Sequence, residues 1–467
     1  MPAPLWSLPI SSRPSHASVL VVVLFGLTFN LGILSTFFLL VLLYPLRLVR
    51  ATKPRYLRWG KRAFGRVLVL VGHWFAPTEF VVSKGEGVDS EWVERDSSGR
   101  VRRVTLPDRA VWISNHSTLA DWLFLWQFTY LTSHSPSLYI ALKSSLRHLP
   151  IIGWACSFYD FIFLDRKWAS DKEPFRRQLE GIARTTRDGG EREKLAFLIF
   201  PEGTIVTENT RGISTKFAEK TGVSHPKHLL LPRSTGLFFA LRHLARTVPS
   251  LHLIDLTLAY PLPRRSPSST SSPLFPSTFY SLPSIFLRQV PPPELHVHVR
   301  AFELAQIPLG NLDDSDELDG GGGGADGTPA ERDTFERWLR DRWTEKDALM
   351  ERFYTEGSFV PEVARSSGKK ADGRDEEEEE EEEEDEDEER RPGEIAWPVA
   401  LRTWYEPLQA FAFFLPFVAV WYLVPALYHA GARVVFVARA GAGAGAAAGG
   451  GGGGKMGAEV HKLGGEL

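Results

Sequence analysis

Ala110-Val111-Trp112-Ile113-Ser114-Asn115-His116-Ser117-Thr118-Leu119-Ala120-Asp121-Trp122 is the stretch on which the reading of this chain turns. Ala110–Ile113 reads as a buried strand and Asn115-His116 as a loop at its end. Thr118 then reads as the N-cap of a helix that carries Asp121 in its first turn. Within one regular helix, residues five apart sit about 140° from each other and do not meet. A strand, a loop and a helix in succession let Asp121 fold back on the His116 imidazole. A neutral imidazole near a carboxylate is the minimum apparatus of general-base catalysis. The ring takes a proton from a hydroxyl, and the carboxylate fixes the tautomer and stabilises the imidazolium. One such pair in a chain with 13 His is weak by itself, since a His beside an Asp is more often a satisfied surface or core pair.

Three further segments repeat the pattern of a strand end followed by a polar cluster. Phe197-Leu198-Ile199-Phe200-Pro201-Glu202-Gly203-Thr204 is a buried apolar run entering a tight turn, where Gly203 supplies a backbone conformation other residues resist. Taken alone, Pro-Glu-Gly-Thr is equally well an ordinary turn. Phe161-Ile162-Phe163-Leu164-Asp165-Arg166 and Leu229-Leu230-Leu231-Pro232-Arg233-Ser234 each end on an arginine whose planar fork suits a phosphate. Singly, each reads as a surface Arg paired with an Asp.

Four such blocks in this order, within about 125 residues, carry a resemblance. The chain resembles the glycerolipid (PlsC-like, 1-acyl-sn-glycerol-3-phosphate) acyltransferase superfamily, closest to the eukaryotic lysocardiolipin and lysophosphatidylinositol acyltransferase branch. The residues that suggest the branch are Leu164-Asp165-Arg166-Lys167-Trp168, Phe217–Gly222, Leu231–Gly236 and Trp343–Glu351. The resemblance spans roughly residues 17 to 360. It implies an α/β fold, a mixed sheet with flanking helices, and acyl transfer from acyl-CoA to the free hydroxyl of a lysophospholipid. His116 would be the general base and Asp121 its orienting carboxylate. Asn115 belongs to the same block and is assigned to the substrate. Glu202, Gly203 and Thr204 would position the glycerol backbone or the acceptor phosphate, and Arg166, Arg233 and Lys143 would neutralise phosphates. Oxyanion donors are expected among backbone amides near the helix start or near Gly203. One departure stands out: many members carry Arg directly after Glu-Gly-Thr, and this chain has Ile205. Arg211, Arg233 or Lys143 then takes the phosphate, or the acceptor carries a head group larger than lysophosphatidic acid.

No metal constellation and no Gly-x-Ser-x-Gly elbow is present, so no cofactor is expected beyond acyl-CoA as co-substrate. Two rival classes are a catalytically inactive membrane scaffold that keeps the fold and a His-dependent hydrolase. Intact His116, Asp121 and Glu202 weigh against the first, and the missing nucleophile motif against the second. Nothing points to nucleic acid, and the oligomeric state is open.

Leu20–Leu46 carries no charged residue and exceeds the roughly 20 apolar residues a span needs. A cleaved signal has a shorter core. Arg47, Arg50, Lys53, Arg55, Arg58, Lys61, Arg62 and Arg66 follow, placing that flank in the cytosol and offering cations to anionic lipid. Val67–Val82 reads as an interfacial or re-entrant helix, and Leu408–Tyr428 as a kinked span or hairpin with Pro416 and Pro425 inside. Partners are therefore membrane lipids as well as substrates, with the endoplasmic reticulum as the default address. Cys156 is the only cysteine, which excludes an internal disulfide.

The expected organisation is a polar tail (1–16), a membrane anchor and interfacial helix (17–85) and a catalytic domain (86–260). Strands are expected near Leu138–Ala141, Ala196–Phe200 and Leu253–Ala259. A Pro/Ser-rich insertion (261–293) precedes the C-terminal part of the acyltransferase region (294–365). There Leu295–Val299 reads as an edge or half-buried strand whose His296 and His298 face outward, and Phe335–Phe353 as an amphipathic helix. An acidic linker (366–391), a C-terminal membrane segment (392–440) and a Gly/Ala-rich tail (441–467) follow. The net charge of −3 hides a basic remainder, because Asp375–Glu389 is wholly Asp and Glu.

Overall fold

Arg109–Ser114 is flanked in space by two strands from later parts of the chain, and that pairing organises the rest. In the computed structural model, which describes residues 4–14, 18–97, 99–149, 152–190, 193–263, 274–312, 325–361 and 391–423, the strands are β1 (Glu79–Lys84), β2 (Val93–Arg95), β3 (Val101–Val104), β4 (Arg109–Ser114), β5 (Leu138–Lys143), β6 (Ile162–Leu164), β7 (Leu195–Ile199), β8 (His252–Ala259), β9 (Glu294–Glu303) and β10 (Glu394–Pro398). Eight of them form one sheet in the order β10-β1-β9-β8-β4-β7-β5-β6, and β2 and β3 form a separate hairpin. Strands β8, β4, β7, β5 and β6 all run parallel. Strand β9 is antiparallel to β8 and parallel to β1, which β10 pairs antiparallel. The sheet is mixed, as expected.

The helices are α1 (Val19–Leu42), α2 (Pro45–Leu48), α3 (Lys53–Phe75), α4 (Asp121–Leu131), α5 (Ile152–Phe158), α6 (Trp168–Asp188), α7 (Glu208–Thr221), α8 (Ser234–Ala245), α9 (Pro276–Phe279), α10 (Pro329–Glu356) and α11 (Glu406–Ala410). On one face of the sheet, Trp112, Ile254, Leu256 and Val297 pack with residues of α1, α3 and α4. On the other, Val111, Ile113, Phe197 and Leu253 pack with residues of α6, α8 and α10. Both faces are covered, which is why the central strands read as unbroken apolar runs. All five parallel strands point their carboxyl ends to the same edge, the usual place for a site in such sheets.

Several expectations need correction. Val67–Val82 is not one interfacial helix. Its first part completes α3, the helix stops before Pro77, and Phe80, Val81 and Val82 are buried in β1. The sheet therefore begins inside the region assigned to the anchor. The basic flank after α1 is largely engaged within the protein: Arg47 and Lys53 pair with Asp160, Arg50 with Asp188, Arg58 with Glu193 and Arg66 with Glu406. Lys61 is buried, with its Nζ 3.0 Å from the centre of the Tyr139 ring.

The N-terminal residues are not a free polar tail either. Leu5–Ser7 and Ile10–Ser12 form 3-10 turns, and Arg13 is buried with its guanidinium on the Ser284 hydroxyl and the Leu8 and Trp6 carbonyls. Residues 264–273 of the Pro/Ser-rich segment lie outside the described residues. Its remainder is core, with Phe279, Tyr280, Ile285 and Phe286 buried. Strand β9 is interior, not an edge: His296 and His298 are both buried, the latter with Nδ1 2.9 Å from Ser83 Oγ.

Helix α10 covers the expected Phe335–Phe353. Its buried stripe is Phe335, Leu339, Trp343, Lys346, Met350 and Phe353, while Trp338 and Leu349 are only partly covered. Among the described residues, α1 alone is long and apolar enough to cross a membrane. The C-terminal span expected from Leu408 does not start there, because Leu408–Ala410 belongs to α11, whose Glu406 and Ala410 are buried. Residues 415–423 are helical and lie in a separate unit, Ala412–Leu467; the remainder of that stretch, the Gly/Ala-rich tail and most of the acidic linker lie outside the described residues.

Candidate active site

The carboxyl edge of the parallel strands gathers the motif residues. His116 follows β4, Lys143 ends β5, Arg166 follows β6, and Glu202, Gly203 and Thr204 follow β7. Arg233 precedes α8.

Asp121 opens α4 at its first position, where the helix N-terminus favours an anion. His116 Nδ1 lies 2.9 Å from Asp121 Oδ2. The same oxygen accepts the Ser117 and Thr118 amides at 2.6 and 3.0 Å. The other oxygen accepts the Thr118 hydroxyl at 2.9 Å and the Tyr260 hydroxyl at 2.6 Å. Asp121 is wholly buried and saturated with donors. An acceptor-only carboxylate in this setting holds Nδ1 protonated and leaves Nε2 as the lone-pair nitrogen. Nε2 has no partner among the described residues. The imidazole stacks on Phe200, centroids 4.2 Å apart, which sets the ring plane.

Thr118 is not an N-cap. The residue before α4 is Ala120, whose side chain makes no cap, and the Thr118 hydroxyl serves Asp121 while accepting the Ala120 amide.

Asn115, expected to meet the substrate, is buried and its side-chain amide is engaged with backbone. Its Oδ1 accepts the Leu258 amide and its Nδ2 donates to the Leu258 carbonyl, both at 2.8 Å. The side-chain amide thus replaces a peptide and extends the β4–β8 pairing by one step past Ser114. Glu202, expected to position the substrate, likewise faces backbone. It is 2% exposed, and its two oxygens accept the His116 and Leu230 amides at 3.2 and 3.3 Å. Burial pushes its pKa well above the usual carboxylate range, against the pull of those amides and of Lys346. Glu202 ties the His116 loop to the loop before α8.

Gly203 sits at φ 70°, the left-handed region that its turn requires. Its amide donates to the Phe200 carbonyl. With the Ser117 and Thr118 amides committed to Asp121, the amides expected to serve an oxyanion at the helix start and at Gly203 are occupied.

The cations divide clearly. Arg211 donates to the Pro226 and Lys227 carbonyls. The side chains of Arg166, Arg233 and Lys143 are exposed and make no ion pair or hydrogen bond among the described residues. The Arg233 amide donates to the Pro201 carbonyl, and its Nε lies 3.5 Å from where a Cβ on Gly203 would be. Arg166 adopts φ 64°, and desolvation together with the nearby Arg233 charge lowers its pKa. Two guanidinium groups held close together, with no carboxylate between them, suit an anion. Lys143 is the cross-strand partner of Leu164, two residues before Arg166. Among the described residues no cluster of His, Cys, Asp and Glu fits a metal.

Tyr260 escaped the motif reading. Its signal was its position: a phenol directly after the apolar run of β8, at the same edge as every other site residue.

Comparison with known proteins identifies the family. The family profile described as Acyltransferase matches residues 100–255, and that described as Acyltransferase C-terminus matches residues 326–389. An uncharacterised acyltransferase of Schizosaccharomyces pombe is 31% identical over 305 residues, covering 65% of this chain and 76% of the relative. The 2-acyl-1-lysophosphatidylinositol acyltransferase of Saccharomyces cerevisiae is 34% identical over 290 residues, 56% of this chain and 66% of that protein. Lysocardiolipin acyltransferase 1 of Gallus gallus is 32% identical over 261 residues, 56% of this chain and 57% of its own length. The chain belongs to the glycerolipid acyltransferase superfamily.

Proposed function

We propose that this protein moves a fatty acyl group from acyl-CoA to the free hydroxyl of a lysophospholipid, in phospholipid synthesis or remodelling. The observation that carries the reading is the His116–Asp121 pair at 2.9 Å, with Nδ1 committed and Nε2 without a partner among the described residues. Nε2 takes the acceptor hydroxyl proton as the oxygen attacks the thioester carbonyl carbon. The tetrahedral intermediate collapses with cleavage of the C–S bond, and the imidazolium returns the proton to the departing thiolate. The amides of Thr204 and Ile205, which make no hydrogen bond among the described residues, are the neighbouring donors for the oxyanion. Arg166 and Arg233, with Lys143 beside them, bind phosphates of acceptor or CoA.

Ile205, and the names of the yeast and chicken relatives, favour acceptors of the lysophosphatidylinositol or lysocardiolipin type over lysophosphatidic acid. Helix α1 attaches the enzyme to a membrane, with the endoplasmic reticulum as its address. The cations that follow α1 in sequence, although several of them pair within the protein, support a catalytic unit on the cytosolic side. The test is transfer from radiolabelled oleoyl-CoA in membranes holding wild type or His116→Ala, against a panel of lysophospholipids. Product that disappears in the variant is expected. Asp121→Asn should lose about three orders of magnitude or more in kcat, through the wrong tautomer. Full turnover by His116→Ala would end the general-base assignment, and a wild type inactive with every acceptor would leave a lipid-binding scaffold.

A further inference from the structure

Tyr260 is wholly buried, so it touches neither acceptor nor donor. Its hydroxyl is 2.6 Å from Asp121 Oδ1 and 3.1 Å from Thr118 Oγ1, whose own hydroxyl reaches the same carboxylate oxygen. Its ring packs 5.3 Å from that of Tyr280, whose hydroxyl is occupied by the Pro261 carbonyl. Burial raises the pKa of Tyr260 well above the usual phenol range, with the Asp121 charge adding to it, so the group donates at every working pH.

Oδ2 is already shared by three donors: His116, Ser117 and Thr118. Oδ1 faces only the two hydroxyls. How much negative charge the imidazolium feels therefore depends on how fully those hydroxyls compensate Oδ1. The other titratable or charged groups around the pair are Glu202 from the β7 turn, Tyr280 after α9, and Lys346 and Tyr354 from α10. Lys346 is neutralised by Asp255, and the phenols of Tyr280 and of the partly buried Tyr354 are held above the usual range by desolvation.

Resting on the acyltransferase reading above, we propose that Tyr260 is a positioning residue for the base: its hydroxyl locks the Asp121 carboxylate and tempers its charge, setting the pH at which His116 becomes competent. Removing the hydroxyl leaves Oδ1 with Thr118 alone. The less compensated carboxylate binds an imidazolium more tightly, so His116 holds its proton to higher pH. It also leaves Asp121 freer to turn away from Nδ1.

The experiment is the pH dependence of acyl transfer by the full-length, membrane-bound enzyme with Tyr260→Phe. The acid limb of kcat should move up by roughly 0.5–1 in pH, with a plateau about tenfold lower and both KM values unchanged. Incorporating 3-fluorotyrosine at position 260 keeps the hydroxyl and makes it a stronger donor, so the limb should move the opposite way. That second variant also covers the case in which Tyr260→Phe fails to fold. A purely structural Tyr260 lowers activity without moving the acid limb in either variant, and that result overturns the proposal. If His116→Ala retains transfer, the general-base reading itself falls. If His116→Ala is inactive while both Tyr260 variants keep the wild-type acid limb, only the role of Tyr260 falls.

Discussion

Glu202 illustrates what a buried carboxylate does at this edge. Its oxygens meet two backbone amides from two loops, the one bearing His116 and the one leading to α8. A side-chain amide in its place offers one acceptor and turns an NH2 against the second N–H. Glu202→Gln should therefore cost about 1–3 kcal/mol of stability and lower kcat by loosening the His116 loop, with the acceptor KM unchanged. Thermal unfolding beside steady-state kinetics reads both quantities. A raised acceptor KM with unaltered unfolding would return Glu202 to the ligand. The same logic separates Asn115, which stitches β4 to β8, from Arg166 and Arg233, whose exposed guanidinium groups remain free to meet a ligand.

Among the elements, α1 carries the sharpest constraint. It docks along α3 through Gly32, Ile33, Ser35, Thr36 and Leu40, leaving Val23, Leu24, Leu27 and Leu31 exposed. A Cβ on Gly32 would come within 2.9 Å of the Val67 side chain, whereas nothing lies within 4 Å of one on Gly26. Gly32→Leu should therefore destabilise the α1–α3 contact by about 1–3 kcal/mol, and Gly26→Leu should not. Limited proteolysis of the detergent-solubilised pair of variants would show this. Equal resistance would mean that α1 does not rest on α3 in solution. Helix α10 is bound differently: Lys346, the one cation in its buried stripe, pairs with Asp255 at the wholly buried centre of β8 and donates to the Leu256 carbonyl.

At the scale of the whole molecule, two neutral histidines in the interior contribute to acid sensitivity. Burial lowers His298 to about 4 and His134, which bridges the Thr132 hydroxyl and the Pro107 carbonyl, to about 3. A folded-state value below the unfolded one means stability that is complete above the unfolded pKa near 6.5 and is lost as pH falls towards the folded pKa. A tenfold difference in proton affinity between the folded and unfolded states is worth about 1.4 kcal/mol, so His298 alone puts roughly 3 kcal/mol at stake between pH 6.5 and 4. Unfolding midpoints measured across that window should fall with acidification. His298→Gln should flatten the slope, and an unchanged slope would place the acid sensitivity elsewhere.

The order of strand, His116 loop, helix and three further strand-end clusters was legible in the chain, because apolar run length and turn chemistry are local properties. The same locality made α1 and the acid–base spacing of His116 and Asp121 readable. What each polar residue faces was not local. Asn115 and Glu202 sit in the motifs yet point into backbone, because the amides they satisfy, those of Leu258 and Leu230, are supplied by distant segments. Val67–Val82 read as membrane-seeking because its apolar residues meet the core only once β1 pairs with β9, more than 200 residues away. His296 and His298 looked outward for the same reason: the strand that covers one side of β9 and the helix that covers its face come from opposite ends of the chain. Tyr260, without a motif of its own, gains its meaning only where β8 lies beside β4 and brings a phenol to the Asp121 carboxylate.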